Sequence, residues 1–286
     1  MSRHGDTMPH VPRVRPRSRD LSGRCALVTG GSSGLGRAIA LELARRGCGV
    51  LATARRAERL DALTRAATGI QGVAGDLTDP DFRGRLPGMA ADRLGGLDIV
   101  VAAAGSGAIG AFDAADPGTC ARILDIDFLA PADLVRASLP LLRRSPDAGI
   151  VLVGSILGLH PLPLHGAYCA AKAALRSLAG TLRMELVADR IDVLHVALGP
   201  IESEFWENLL VGRRPTWSRA RPMPAARAAR AVVDGLIRRR SEVVPGWRAK
   251  GFACAARFMP GLIDAIAARN WRQSIPLQSE PPPAQP

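Results

Sequence analysis

With 286 residues, 47% hydrophobic and 22% charged, the chain is long and apolar enough for one large core, and at 4% aromatic content that core must be Leu, Val, Ile and Ala. No uninterrupted apolar run reaches the roughly 18 residues of a membrane-crossing helix, and the composition is globular, not disordered. The net charge of +12 is concentrated, with 14 basic and 3 acidic side chains in residues 213–272, and no nucleic-acid module accompanies it, so no nucleic-acid partner is predicted.

Residues 1–20 are rich in Arg and Pro with no apolar stretch behind them; they read as a disordered tail and not as a secretory signal. RCALVTG at 24–30 is a short apolar run ending in glycine, a strand. GLGRAIALELARRG at 34–47 repeats Leu35, Ile39 and Leu43 at helical spacing and stops at Gly47. A strand at 49–54, a helix at 55–67 and strands at 70–75 and 97–105 follow. Then come a long helix over 120–144 bent near Pro131, a strand at 149–155, a helix at 166–189 and a strand at 191–200. A helix at 225–240 and a short strand at 241–246 complete the series. Apolar strands alternating with amphipathic helices predict an α/β fold: a doubly wound parallel sheet of Rossmann type, single-domain over 21–246, with helices on both faces. The five cysteines are odd in number and lack metal-ligand spacing, which fits a reducing, cytoplasmic setting and no metal site.

TGGSSGLG at 29–36 joins the first strand to the first helix. Gly30 permits the tight turn, Gly34 lets a pyrophosphate approach the helix N-terminus, and Gly36 lets helix and strand pack closely. The end of the second strand reads ATARRAERL, with no carboxylate before Glu58. An acid there would hydrogen-bond the ribose of NAD and repel a 2′-phosphate, whereas a guanidinium binds one. NADP(H) is therefore expected, with Arg55 as first contact and Arg56 as second. In GDLTD, Asp76 can accept from an adenine amino group with Leu77 against the ring, while Thr78 and Asp79 can equally cap the next helix.

HGAYCAAKAALRSL at 165–178 contains the only tyrosine of the chain, Tyr168, and Lys172, one of just two lysines. Positions i and i+4 share a helix face. A cation there favours the phenolate and lowers the phenol pKa, which would fit Tyr168 for proton transfer at a carbonyl or alcohol oxygen. Ser155 ends the fifth strand, at the sheet edge where open α/β folds bind ligands.

These motifs, with Ser155 thirteen residues before Tyr168, AAAG at 102–105 and LGPIES at 198–203, resemble the short-chain dehydrogenase/reductase family over roughly residues 22–246. The resemblance implies a catalytic centre in which Tyr168 is the acid or base, Lys172 binds the nicotinamide ribose and depresses the tyrosine pKa, and Ser155 orients the carbonyl. It implies cofactor contacts at Gly30, Ser32, Ser33, Gly34, Leu35, Gly36, Ala103, Gly105, Pro200 and Ser203, and assembly into a homo-oligomer. Two departures stand out. Ala102-Ala103-Ala104-Gly105 replaces the family's usual Asn-Asn-Ala-Gly, losing side-chain hydrogen bonds that steady the sheet. Asp127 stands where the family usually has an asparagine of a proton relay, so it either pairs with Lys172 and retunes the tyrosine or relays through its backbone carbonyl.

The substrate loop, 200–224, carries Phe205, Trp206 and Trp217, read as an apolar pocket wall or as loop anchors. His160 and His165 read as loop residues near the site. Residues 247–286 form an amphipathic extension and a disordered end; the extension docks on the domain, forms a dimer contact or lies on a membrane surface. The reading is an NADPH-dependent reductase of a bulky, hydrophobic ketone or aldehyde. The rivals are an alcohol dehydrogenase working oxidatively and an NADP(H)-sensing protein without turnover.

Overall fold

A computed structural model describes residues 18–113, 115–212 and 222–274; most of the tail expected at 1–20, the last part of the extension expected at 247–286, and Trp217 lie outside the described residues. Seven parallel strands form one sheet in the order β3-β2-β1-β4-β5-β6-β7. They are β1 (Cys25–Thr29), β2 (Gly49–Ala54), β3 (Ile70–Ala74), β4 (Ile99–Ala102), β5 (Gly149–Val153), β6 (Asp192–Val196) and β7 (Glu242–Val243). The connecting helices are α1 (Gly34–Arg45), α2 (Ala57–Ala66), α3 (Pro80–Leu94), α4 (Pro117–Leu124), α5 (Ala130–Leu142), α6 (Gly166–Glu185) and α7 (Ala225–Ile237), followed by α8 (Trp247–Phe258) and α9 (Pro260–Ser274).

The near-continuous apolar strands divide their side chains by strict alternation, as a sheet buried on both faces requires. Ala26, Val28, Val50, Ile99, Val101, Val151 and Val196 face α1, α2 and α7, where Ile39, Leu43, Leu60, Val232 and Leu236 cover them. Leu27, Leu51, Val100, Ile150, Leu152 and Val193 face α3, α5 and α6, under Leu86, Leu134, Leu142, Leu175 and Leu182. Strand order reverses between β1 and β4, so the crevice at their carboxyl ends is the topological switch point where this fold binds ligands.

The long helix expected over 120–144 is broken before Pro131, not at it. A π-helical turn, Asp125–Leu129, separates α4 from α5, and the Ala130 N–H bonds back to the Asp125 carbonyl. Pro131 explains the wider turn: it has no N–H for the Asp127 carbonyl, and its ring crowds that carbonyl. The π turn carries Asp127 at its centre, fully buried.

Arg19, which the sequence reading leaves in the tail, belongs to the body. Its buried guanidinium donates to Asp147 (3.1 Å), Asp192 (2.7 Å) and the carbonyls of Ala148 (2.6 Å) and Leu236 (3.2 Å). Arg239 binds the same two carboxylates, closing a clasp at the amino ends of β5 and β6. Beyond β7 the extension docks on the body: a Cβ on Gly199 would lie 3.0 Å from that of Ala249 in α8, and Asp264 of α9 lies 2.9 Å from His160.

Candidate active site

The glycine-rich turn lies at the carboxyl end of β1. A Cβ on Gly36 would lie 2.4 Å from the Gly30 carbonyl oxygen, so α1 can pack this close to the turn only without a side chain there. Ser33, the residue before α1, makes no side-chain capping bond, which leaves the first N–H groups of the helix directed at the crevice. A dinucleotide pyrophosphate fits such a terminus. Beside it opens a cleft of about 380 Å³ whose lining includes Ser32, Ser33, Gly34, Arg37, Arg59 and Ser203. Leu35 is buried in the core, so only its backbone can serve the turn. Across the switch point, the hydroxyl of Thr29 accepts from the N–H groups of Ala103 (3.0 Å) and Ala104 (3.1 Å). Thr29 thus steadies the segment where the usual asparagines are missing.

Ser155, Tyr168, Lys172 and Asp127 converge at the carboxyl edge of β4 and β5. Ser155 follows β5, buried, its Oγ accepting from the Leu157 N–H at 3.1 Å. Tyr168 stands in the first turn of α6, partly exposed as a residue but with its hydroxyl end enclosed and close enough to Ser155 for that hydroxyl to favour the phenolate. One turn on, Lys172 places Nζ 5.7 Å from the Tyr168 ring centre, 3.2 Å from the Val153 carbonyl and 3.1 Å from Asp127 Oδ1. Asp127 Oδ1 also accepts from the Ser106 N–H at 3.2 Å, while Oδ2 is buried without a hydrogen-bond partner. Gly105 is glycine for a local reason: a Cβ there would lie 2.4 Å from Asp127 Oδ1.

In this structure the Tyr168 phenol lies above its ordinary value, where the sequence reading expects it lowered. Burial is the first cause raising the Tyr168 phenol, the Asp127 charge is the second, and the hydrogen bond with Ser155 pulls the other way. Lys172 is closer to Asp127 than to the ring, and its charge is largely met there. Burial also pushes the Asp127 carboxyl up, opposed by Lys172 and the Ser106 N–H.

A profile of the family described as short chain dehydrogenase matches residues 24–213. The chain belongs to the short-chain dehydrogenase/reductase family. It is therefore an oxidoreductase of a family that uses NAD(P)(H) and acts on small molecules. This dehydrogenase/reductase is 33% identical over 248 residues to 11-beta-hydroxysteroid dehydrogenase 1A of Arabidopsis thaliana, covering 80% of this chain and 70% of that protein. It is 33% identical to an uncharacterized oxidoreductase of Myxococcus xanthus, covering 88% and 99% of the two chains. It also resembles the solved structure of a short-chain dehydrogenase from Streptomyces avermitilis, with TM-score 0.74, 29% identity and 88% and 97% coverage.

Several expected contacts are rearranged in this dehydrogenase/reductase. Arg55 is exposed, whereas Arg56 turns back to the glycine-rich turn and donates to the hydroxyls of Ser32 and Ser33, each at 3.3 Å. Of the two, Arg56 is the one that reaches the turn. Asp76 is exposed and accepts from the N–H and hydroxyl of Thr78, both at 2.9 Å, while Asp79 caps α3. The side chain of Leu77, expected against an adenine ring, is buried instead in the core with Ala130 and Leu134. Pro200 and Ser203 begin the substrate loop: the Pro200 carbonyl accepts from the Met223 N–H at 3.0 Å, and Ser203 caps a 3-10 turn, Glu204–Trp206. Phe205 of that turn packs edge-on to Tyr168, ring centres 5.7 Å apart, and Trp206 packs on Phe205. Glu204 and Arg59 were not singled out from the sequence, because each lies outside any motif and is joined to the cleft only by folding.

Proposed function

We propose that the protein reduces a bulky, hydrophobic ketone or aldehyde with NADPH. The observation that carries this reading is the meeting of Tyr168, Ser155 and Lys172 at the carboxyl edge of the sheet, beside the cleft of the glycine-rich turn. The α1 N-terminus, Ser32, Ser33 and Lys172 would hold the cofactor, which would supply hydride when bound. Ser155 donates a hydrogen bond to the substrate oxygen and fixes its position. Burial and Asp127 keep the Tyr168 phenol protonated at neutral pH, the form that can give its proton to that oxygen. Once the proton has left, the Lys172 ammonium stabilises the phenolate until solvent restores it. Relatives named as hydroxysteroid dehydrogenases support a rigid, apolar substrate of several rings, and Phe205 and Trp206 beside Tyr168 suit one.

The preference for NADP(H) rests on Arg56, since β2 ends without a carboxylate. In assays against a panel of apolar ketones, NADPH should outperform NADH. Arg56→Ala should raise KM for NADPH by roughly 10- to 100-fold, the worth of a charge-assisted hydrogen bond, and leave KM for NADH unchanged. Equal loss with both cofactors would remove Arg56 from the 2′-phosphate site.

We also propose that α8 and α9 touch an anionic lipid surface. Among the described residues no single helix is long and apolar enough to cross a membrane, and α8 and α9 are bent by 112° to one another. Trp247, Phe258, Met259, Leu262 and Ile266 are each more than half exposed, with Arg248 and Arg257 stacked over Trp247 and Phe258. Apolar rings beside guanidinium groups suit the headgroup boundary. Co-sedimentation with phosphatidylserine vesicles should be strong, weak with neutral vesicles, and lost when Leu262 and Ile266 are both changed to Asp. Retained binding by that double variant would exclude the extension as the contact.

A further inference from the structure

The carboxylate of Glu204 lies in the cleft beside the glycine-rich turn. Its Oε2 accepts from Arg56 at 3.1 Å and its Oε1 from Arg59 at closer range. Arg56 reaches Ser32 and Ser33 through its other terminal nitrogen. A Cβ on Gly34 would lie 3.0 Å from that of Ser203, so the loop rests directly on the turn. Two guanidinium groups, one just beyond β2 and one in α2, with two hydroxyls of the glycine-rich turn, are the donor set that recognises a phosphate monoester, and here a carboxylate of the protein meets the guanidinium pair.

We infer that Glu204 is a built-in stand-in for the cofactor 2′-phosphate, occupying the Arg56–Arg59 pair and yielding it when NADP(H) binds. This rests on the proposal above that the cleft takes a 2′-phosphate. A phosphate monoester carries about −1.5 to −2 charges at neutral pH against one for the carboxylate, so it wins the arginines when it arrives. NAD(H), with a hydroxyl at that position, has nothing to displace Glu204 with. The arginine pair holds the Glu204 carboxyl below the usual carboxylate range, so it stays ionised and competing at physiological pH. The competition lowers apparent NADP(H) affinity by the fraction of molecules in which the pair is taken. The loop also reaches the substrate side. Phe205, the next residue of the same 3-10 turn, packs on Tyr168 and fills the space beside Gly107.

The test is equilibrium binding by calorimetry of 2′,5′-ADP, which carries the 2′-phosphate, and of 5′-AMP, which lacks it. Wild type is compared with Glu204→Gln, with Glu204→Ala as a second variant and thermal melts to establish that each is folded. Both variants should bind 2′,5′-ADP about tenfold more tightly and 5′-AMP within about twofold of wild type. If wild type prefers 2′,5′-ADP but the variants bind it no better, the stand-in is overturned and the cofactor reading survives. If none of the proteins distinguishes the two nucleotides, both are overturned. If discrimination emerges only in the variants, Glu204 blocks the arginine pair and does not yield it, and the stand-in is overturned. Weaker 5′-AMP binding in the variants with 2′,5′-ADP unchanged would overturn it, making Glu204 a ribose ligand.

Discussion

Tyr168→Phe is expected to reduce carbonyl turnover by about 10²- to 10⁴-fold while leaving NADPH affinity within a few fold of wild type. The ring is retained, so its contact with Phe205 and its place on α6 survive; only the hydroxyl that meets Ser155 is removed. The loss should fall on kcat, because proton donation belongs to the transition state and not to ground-state binding. Steady-state kinetics beside cofactor titration separates the two. Turnover unaffected by the substitution would sink the proposed mechanism. Loss of turnover together with cofactor binding would instead point to collapse of the site.

Asp127 should respond differently to its two natural tests. Asp127→Ala leaves the Lys172 ammonium, 5% exposed, facing a void where its 3.1 Å partner stood, and should cost about 3–5 kcal/mol in denaturant unfolding. Asp127→Asn keeps an oxygen for Lys172 and the Ser106 N–H and should fold with near-native stability. Its signature is electrostatic. The Asp127 charge helps hold the Tyr168 phenol up, so removing it lowers the phenol pKa and releases the Lys172 charge to act on the ring. Alcohol oxidation needs the phenolate and therefore rises with pH through that pKa. In Asp127→Asn the rise should begin about one pH unit lower than in wild type. A limb that does not move would mean that Asp127 serves only to position Lys172.

The parallel sheet was legible because its signals are local and repeated. Runs such as IVV at 99–101 and IVLV at 150–153 bury both faces, and the helices between them carry apolar stripes at regular spacing. The glycine turn and the Tyr168–Lys172 pair were legible because their chemistry needs fixed spacing within one element. What could not be read was set by long-range contact. Arg56 and Arg55 are adjacent and chemically identical, and only packing shows that Arg56 turns to Ser32 and Ser33. Glu204 reaches Arg59 across 145 positions, and no periodicity encodes such a pairing. The part Asp127 plays at the tyrosine is not legible for a related reason: the i to i+4 rule puts Lys172 near Tyr168 but says nothing about the buried carboxylate of Asp127 arriving from another helix. Pro131 did mark the interruption in the long helix, but its effect falls on the preceding turn, where the crowded carbonyl lies.

The Arg19 clasp bears on how the domain is made. A nascent chain presents Arg19 long before Asp147, Asp192 and the Leu236 carbonyl exist, since these follow it by 128, 173 and 217 positions. Until then its guanidinium belongs in water. The first strands can collapse while synthesis continues, but the cation gains its two carboxylates only once β6 has been made, and its full set of partners only with α7. A single residue at the start of the body thereby ties its first segment to β5, β6 and α7, and a chain released before Asp147 retains an unsatisfied charge at its base.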